Sequence, residues 1–304
     1  MQRDIRTGRQ AGRRRKKVTF LAALGGCALV AASTAPAAAH GGGSGGSRYV
    51  ALGDSYTSGP FIPRQVDANC ARSDHNYPSL VAGQLRASLF KDVSCGGATT
   101  ENMWKPQGTN GPQLDALSRN SSLVTVQIGG NDFGFGSIIG TCARLAPQDP
   151  IGNPCQRHYG ASGVDQLTIE IARTAPKVAR VLEAVHDRAP RARVLFVGYP
   201  DLLPDDGSGC APSVPFATRD FPYLRDTAKR LNLMLRLVAR WNHAEYVDTY
   251  GPTIGHDMCK PPAERWIEPL QPASQAAPAH PNAKGEEAMA RAVLARLTPG
   301  RHGR

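Results

Sequence analysis

Two kinds of feature are missing from this sequence, and each absence excludes a class of protein. The 304 residues contain no Cys-x-x-Cys pair and no His-Glu-x-x-His run, which are spacings that bind zinc in many proteins. Beyond an N-terminal apolar run over residues 18–32, no stretch approaches the roughly 20 apolar residues that a membrane-spanning helix needs. We therefore expect neither a metal site nor a stable membrane anchor.

The body of the chain also lacks an excess of positive charge, although the total suggests one. There are 36 basic and 25 acidic residues, a formal net charge of +11. Residues 1–39 hold eight of the basic residues and one acidic residue, which leaves 28 basic and 24 acidic residues in the rest. Since nucleic-acid-binding domains cluster basic residues on one face, this balance argues against a nucleic-acid partner.

The N-terminal segment has the order of an export signal. A cationic stretch precedes an apolar run, and three alanines follow at Ala37–Ala39, as at a signal-peptide cleavage site. We therefore predict a signal peptide over 1–39, a flexible Gly/Ser-rich linker over 40–47 and a single domain over 48–304. The mature protein is expected to be secreted.

The cysteine count agrees with export. Removing Cys27 with the signal peptide leaves six cysteines, an even number that indicates disulfides in an exported chain. Six cysteines allow 15 connectivities. Pairing of sequence neighbours would close three local loops and is the pairing that we expect: Cys70–Cys95, Cys142–Cys155 and Cys210–Cys259.

Short apolar runs alternate with longer amphipathic stretches after residue 48. Strands are predicted at 49–52, 123–128 and 194–197, and less clearly around 93 and at 244–247. Helical periodicity covers 164–185, 223–241 and 282–297, and the Gly/Pro-rich stretches 133–162, 199–222 and 249–281 are predicted to be loops. The alternation predicts a parallel sheet covered on both faces, in which ligands bind at the carboxyl ends of the strands.

Four polar blocks lie at such strand ends or in the C-terminal part of the chain. They are GDSYTSG at 53–59, CGGATT at 95–100, GGND at 129–132 and HPN at 280–282. Taken singly, Ser55 is typical of a helix N-cap, Asn131 of a turn and His280 of the surface. Together they supply a nucleophile, a base and oxyanion donors, which are the groups that ester cleavage requires.

In their order and spacing, these blocks resemble the SGNH (GDSL-type) hydrolase family, especially secreted lipases and esterases of the Streptomyces type with three disulfides. The resemblance covers about residues 48–297. It implies a three-layer α/β/α, flavodoxin-like fold with about five parallel strands and an esterase that needs no cofactor. It also strengthens the neighbour pairing of the cysteines.

The resemblance implies a role for each site residue. Ser55 would be the nucleophile and His280 the general base. The oxyanion would be bound by the N–H groups of Ser55 and Gly97 and by the Asn131 side chain. Many members carry an acid three residues before the histidine, where this chain has Ala277. We therefore predict a Ser55–His280 dyad with the Ala277 carbonyl accepting the ring N–H.

Two questions about this site stay open at this stage. A third member contributed by Asp257 or Asp248 is the alternative to the dyad. Fatty-acyl esters such as triacylglycerols and simple acyl esters are the expected substrates of a monomeric enzyme, with phospholipase A1-like or polysaccharide deacetylase activity as alternatives. A noncatalytic binding module is a further alternative, which the combination of the four blocks opposes.

Candidate apolar contacts for an acyl chain are Phe61, Trp104, Phe133, Phe135 and Trp266.

Overall fold

The computed structural model describes residues 47–298, so the predicted signal peptide and residues 40–46 of the predicted linker lie outside the described residues. Seven strands occur in this range: β1 Arg48–Gly53, β2 Gln65–Asp67, β3 Arg72–Ser73, β4 Leu89–Asp92, β5 Leu123–Gln127, β6 Arg193–Val197 and β7 Glu245–Val247. The five strands expected from the sequence are among them, and β2 with β3 forms a small antiparallel ribbon.

Eight α-helices are interspersed with these strands in the described range. They are α1 Ser55–Ser58, α2 Tyr77–Leu85, α3 Gly130–Phe133, α4 Phe135–Leu145, α5 Pro154–Gly160, α6 Gln166–Arg188, α7 Asp220–Trp241 and α8 Ala283–Leu297. Side-chain caps fix where two of the three longest, α6 and α8, begin. Asp165 accepts a hydrogen bond from the Leu167 N–H at the start of α6, and Asn282 accepts from Lys284 and Gly285 at the start of α8.

The main sheet is parallel and has the strand order β4-β1-β5-β6-β7. Successive side chains of its strands alternate between two apolar layers. One layer packs under α6 and α7 and includes Leu52, Val126 and Phe196. The other packs under α2 and α8 and includes Tyr49 and Leu195. The result is the three-layer α/β/α architecture that the sequence predicts.

The stretch 133–162 departs from its prediction as a loop, because it contains α4, α5 and a short 3-10 turn. Its glycines suggested an irregular chain, yet Gly136 and Gly140 lie on α4 where an added Cβ would meet nothing within 4 Å. These glycines therefore occupy open helix surface. Ile138 and Cys142 are the buried residues of α4, and packing of this face overrides the low helix propensity of glycine.

Three disulfides tie the loops to this frame. They join Cys70 to Cys95, Cys142 to Cys155 and Cys210 to Cys259, which is the pairing predicted from the sequence. The third bridge connects the long loop after β6 with the long loop after β7. Within residues 47–298, no helix combines the length and the apolar character needed to cross a membrane.

Candidate active site

Ser55 lies two residues beyond β1, where the chain leaves the sheet and enters α1. The turn depends on Gly53, since a Cβ there would lie 2.1 Å from Thr57 Oγ1 and 2.8 Å from the Gln127 carbonyl. The buried side chain of Gln113 holds Gly53 from the side: it accepts from the Gly53 N–H at 2.8 Å and donates to its carbonyl at 2.9 Å. The strand end that presents Ser55 is thereby fixed.

Asp54, next to the serine, is a buried structural carboxyl group. Its Oδ1 accepts from the Tyr56 N–H at 3.0 Å, and its Oδ2 accepts from the Tyr199 hydroxyl at 2.5 Å. That hydroxyl in turn accepts from the Gly130 N–H at 2.8 Å. Burial raises the pKa of Asp54 to about 7, although the Tyr199 and Tyr56 hydrogen bonds oppose this shift. The network links the ends of β1, β5 and β6.

His280 meets Ser55 across the site, with Nε2 2.7 Å from the serine Oγ. The ring Nδ1 lies 2.7 Å from the carbonyl oxygen of Pro278. Because a carbonyl can only accept, Nδ1 carries the hydrogen and Nε2 is left to accept from the serine hydroxyl. Burial lowers the pKa of His280, and the Pro278 hydrogen bond opposes this shift. Burial thus favours the uncharged ring, the form that acts as a base.

The predicted partner of the imidazole, the Ala277 carbonyl, is wrong by one residue. That carbonyl accepts from the main-chain N–H of His280 at 3.2 Å and not from the ring. The reason is a tight turn: Ala279 adopts a left-handed conformation with φ of 57°. The turn brings the carbonyl two residues before the histidine, not three, to the ring N–H.

Neither acid considered as a third member contacts His280. Asp257 accepts from the Cys259 N–H at 2.8 Å, and burial raises the pKa of its carboxyl. Asp248 accepts from the N–H groups of Tyr250 and Gly251. Both carboxylates therefore serve their own turns.

The three expected oxyanion donors come from three different strand ends. Within residues 47–298, the N–H groups of Ser55 and Gly97 donate to no protein acceptor. Gly97 has a φ of +77°, a conformation that suits glycine. The Asn131 amide donates to the Ala98 carbonyl at 2.8 Å, which brings Asn131 beside the glycine loop.

Asp132 fixes this glycine loop without lying in the reacting position. Its carboxylate accepts from the main-chain N–H of Thr100 at 2.8 Å and from the Thr100 hydroxyl at 2.6 Å. From the other side, the Gln107 side chain donates to the Gly96 carbonyl at 2.7 Å. The contacts of Asp132 therefore hold the turn that carries Gly97.

An apolar pocket of about 770 Å³, part of it open to solvent, extends from Ser55 and Asn131 beneath α4 and α7. Phe133 and Phe135 line it, as the sequence suggested. Phe61 and Trp104 are instead exposed, and Trp266 stacks on His256 with ring centroids 3.5 Å apart. The sequence did not identify the remaining apolar wall, which consists of Ile138, Ile139, Leu202, Leu203, Leu224, Leu231 and Met258.

Glu268 is the residue of the histidine loop that sequence reasoning missed. It is buried and accepts from Arg265, Ser274 and the Asn282 side chain, at 3.0, 2.7 and 2.9 Å. Burial alone would raise the pKa of Glu268, but these hydrogen bonds, with one from the Ala273 N–H, bring it down to about 2. Its backbone also pairs with Ala279 and His280. A single acid in a long loop gave no motif by which to recognise it.

The geometry fits one type of chemistry. A serine hydroxyl in contact with an uncharged imidazole, beside unused N–H donors and an apolar pocket, is the arrangement that serine-dependent acyl transfer requires. Within residues 47–298, no group of three or more His, Cys, Asp or Glu side chains is placed to hold a metal ion. Fold and site together define the class as a hydrolase of three-layer α/β/α fold with a candidate serine site.

Comparison with known proteins identifies the family. Residues 51–288 match the model of the GDSL-like lipase/acylhydrolase family. The chain is 41% identical to Lipase 2 of Streptomyces coelicolor over 80% of this chain and 83% of that protein. The chain therefore belongs to the GDSL-like lipase/acylhydrolase family and is an ester hydrolase.

Solved structures give the same result. Phospholipase A1 from Streptomyces albidoflavus superimposes with a TM-score of 0.70 at 25% identity, covering 83% of this chain and all of that one. The extracellular lipase from Streptomyces rimosus gives a TM-score of 0.65 at 26% identity with the same coverage. The five-stranded parallel sheet is thus shared with Streptomyces lipases.

Proposed function

We propose that this chain is a secreted serine esterase that hydrolyses fatty-acyl esters through a Ser55–His280 dyad. The observation that carries the proposal is the 2.7 Å contact between Ser55 Oγ and His280 Nε2 at the mouth of an apolar pocket. Secretion is supported by the signal-like leader, by the three disulfides and by similarity to an extracellular lipase.

The chemistry follows from the positions of these groups. Ser55 Oγ attacks the ester carbonyl carbon while His280 Nε2 takes the hydroxyl proton. The negative charge that develops on the carbonyl oxygen is bound by the N–H groups of Ser55 and Gly97 and by the Asn131 amide. The C–O bond to the alcohol then breaks, and His280 returns the proton to the departing alkoxide. Water, activated by the same imidazole, hydrolyses the acyl-enzyme and releases the acid.

The pocket favours acyl chains longer than acetate. Its walls are almost wholly apolar, and burial of each methylene contributes about 0.8 kcal/mol. A polysaccharide deacetylase has a shorter acyl group to bind and would not need such a pocket. A phospholipase A1-like activity is the second candidate, supported by the structural likeness to an enzyme of that name. Release of fatty acid from the sn-1 position of a phosphatidylcholine with two different chains tests it.

The first experiment compares the mature protein with Ser55→Ala and His280→Ala on nitrophenyl esters from acetate to palmitate. We expect both variants to lose about 10⁴-fold or more in kcat. Ser162→Ala, at an exposed serine, is the matched control and should keep full activity. Higher activity on medium or long chains supports a lipase, whereas activity on acetate alone would favour a deacetylase. Full activity of a folded Ser55→Ala protein would refute the proposal.

A further inference from the structure

Tyr56, the residue after the candidate nucleophile, packs face to face against the candidate base. The Tyr56 and His280 rings lie 4.6 Å apart between centroids, with 29° between their planes. Tyr56 is only 3% exposed. The serine block thus contributes a second side chain to the site, on the face of the imidazole and not at its nitrogens.

Tyr56 is itself held from several directions. Its N–H donates to Asp54 at 3.0 Å, and its hydroxyl donates to the carbonyl of Ala279 at 2.6 Å. The rings of Tyr199 and Phe135 meet it edge-on at 5.1 and 5.9 Å. Burial raises the pKa of the Tyr56 phenol well above its ordinary value, so the hydroxyl stays a donor. The tyrosine therefore clamps the left-handed residue that precedes His280.

The two hydrogen bonds of the His280 imidazole leave the tilt of its ring plane unrestrained, and the Tyr56 ring restrains it. Bonds at Nδ1 and Nε2 place two points of the ring, but they do not by themselves set the tilt of its plane. Contact with a fixed aromatic face sets that tilt. An aromatic face also attracts a cation, and His280 becomes a cation while it holds the serine proton. The Pro278 carbonyl is uncharged and gives less electrostatic stabilisation than a carboxylate would.

We propose that Tyr56 is a positioning residue that fixes the plane of His280 and stabilises its imidazolium form, through its ring face and its hydroxyl bond to Ala279. Tyr56 thereby supplies part of the orientation and charge stabilisation that an acidic third member provides in a triad. The proposal rests on the proposed function, because it assumes that His280 is the base.

The test uses Tyr56→Phe, which keeps the ring face, and Tyr56→Leu, which removes it. We expect Tyr56→Leu to lower kcat about 30- to 100-fold on every nitrophenyl ester, acetate included, with KM changed less than about threefold. Tyr56→Phe should lose less than about fivefold. Tyr49→Phe is the control, since Tyr49 is a buried tyrosine in the opposite layer whose hydroxyl bonds Thr125.

The pH dependence of kcat/KM is a second readout, which a purely structural role of Tyr56 would leave unchanged. Loss of the aromatic face removes stabilisation of the imidazolium, so the pKa seen in the acid limb of kcat/KM should fall by about half a unit in Tyr56→Leu. In Tyr56→Phe it should stay where it is in the parent. An unchanged acid limb in Tyr56→Leu contradicts the proposed stabilisation of the imidazolium.

How the loss of activity in Tyr56→Leu depends on the length of the acyl chain is a further test of the proposal. Tyr56 lines the apolar pocket as well, so a loss confined to long chains would make it a pocket wall only and overturn the proposal. If Tyr56→Leu folds poorly, NMR of the parent protein is the second test. His280 ring protons without an upfield shift, assigned with His280→Gln, would show that the stack is absent. Retained activity in Ser55→Ala would instead refute the proposed function.

Discussion

Ser55 and His280 face each other from segments that are built differently. Ser55 follows a central strand. Hydrogen bonds that Gly53 exchanges with the Gln113 side chain, and one from the Tyr56 N–H to Asp54, fix its neighbours at the carboxyl edge of the sheet. His280 ends the long connection between β7 and α8, residues 248–282, in which a single 3-10 turn is the only helix. No sheet holds this connection in place. It is held instead by the buried ion pair of Glu268 with Arg265 and by Asn282, the N-cap of α8.

This difference predicts how the two segments respond to substitution. We call the end of β1 with its neighbours the serine side, and the connection 248–282 the histidine side. The serine side is held by the main-chain pairing of β1 with β4 and β5 in addition to those side-chain bonds, so the loss of one site side chain there should reduce the rate more than the stability. The histidine side depends on a few buried polar groups, and the loss of one leaves its partners unsatisfied. Rate and stability should therefore fall together on that side.

The largest expected effect among the tests of this contrast is that of Asn131→Ala. Removal of one proposed oxyanion donor should lower kcat about 10²- to 10³-fold, because in the proposed mechanism the amide binds charge that develops only in the transition state. KM and the denaturant midpoint should change little. Steady-state kinetics and urea unfolding measure the two quantities, with Asn69→Ala at an exposed position as the control. A large fall in the midpoint would show that the serine side is not independently rigid.

Glu268→Gln, on the histidine side, should lower both the stability and the rate. The variant leaves Arg265 buried without its ion pair, and we expect a loss of about 3 kcal/mol in the free energy of unfolding, together with lower kcat. Glu264→Gln, an exposed glutamate of the same loop, is the control. An unchanged urea midpoint for Glu268→Gln would contradict the contrast between the two sides.

The same glutamate predicts a pH dependence. Its pKa is lowered from 4.5 to about 2 in the folded protein. The stabilisation is therefore complete above the unfolded value of about 4.5 and is lost as pH falls from there toward 2. The difference in unfolding free energy between parent and Glu268→Gln should shrink between pH 5 and pH 3. A difference that stays constant over this range would show that the carboxylate is not the source of the stability.

The smallest effect is expected for Asp257→Asn. The carboxyl group lies in the histidine connection but bonds the Cys259 N–H and not the imidazole. Activity should stay within about threefold of the parent, because an asparagine oxygen can accept the same bond. A loss of more than a hundredfold in a folded variant would restore Asp257 as a third catalytic member.

The fold was predictable where local pattern and tertiary environment agree. Apolar runs such as Leu123–Gln127 are buried along their whole length, and Asn282 marks the start of α8 in the sequence as in the structure. α4 was missed because its glycines are locally unfavourable to helix, and burial of Ile138 and Cys142 decides the outcome. Local sequence does not contain that tertiary contribution.

The site was predictable to the extent that chemistry requires particular side chains. Ser55 and His280 lie in contact, as expected. The Pro278 carbonyl was not identified, because the turn at Ala279 uses a conformation that alanine seldom adopts. Tyr199 was missed for another reason: its partner Asp54 lies 145 residues away, and no spacing in the chain reveals the pair. Glu268 was missed because a single acid in a long loop forms no motif.

The carbonyl that holds the imidazole has a consequence for how this site can be altered. A carboxylate can be removed by a single substitution, and acid neutralises it by protonation. Every residue type at position 278, in contrast, carries the same main-chain carbonyl oxygen. That oxygen does not titrate in the range where the protein is folded. Alanine scanning cannot remove this contact, and only a change in the path of the backbone can. The contact that places Nδ1 is thus encoded in the path of the backbone and not in the identity of the side chain at position 278.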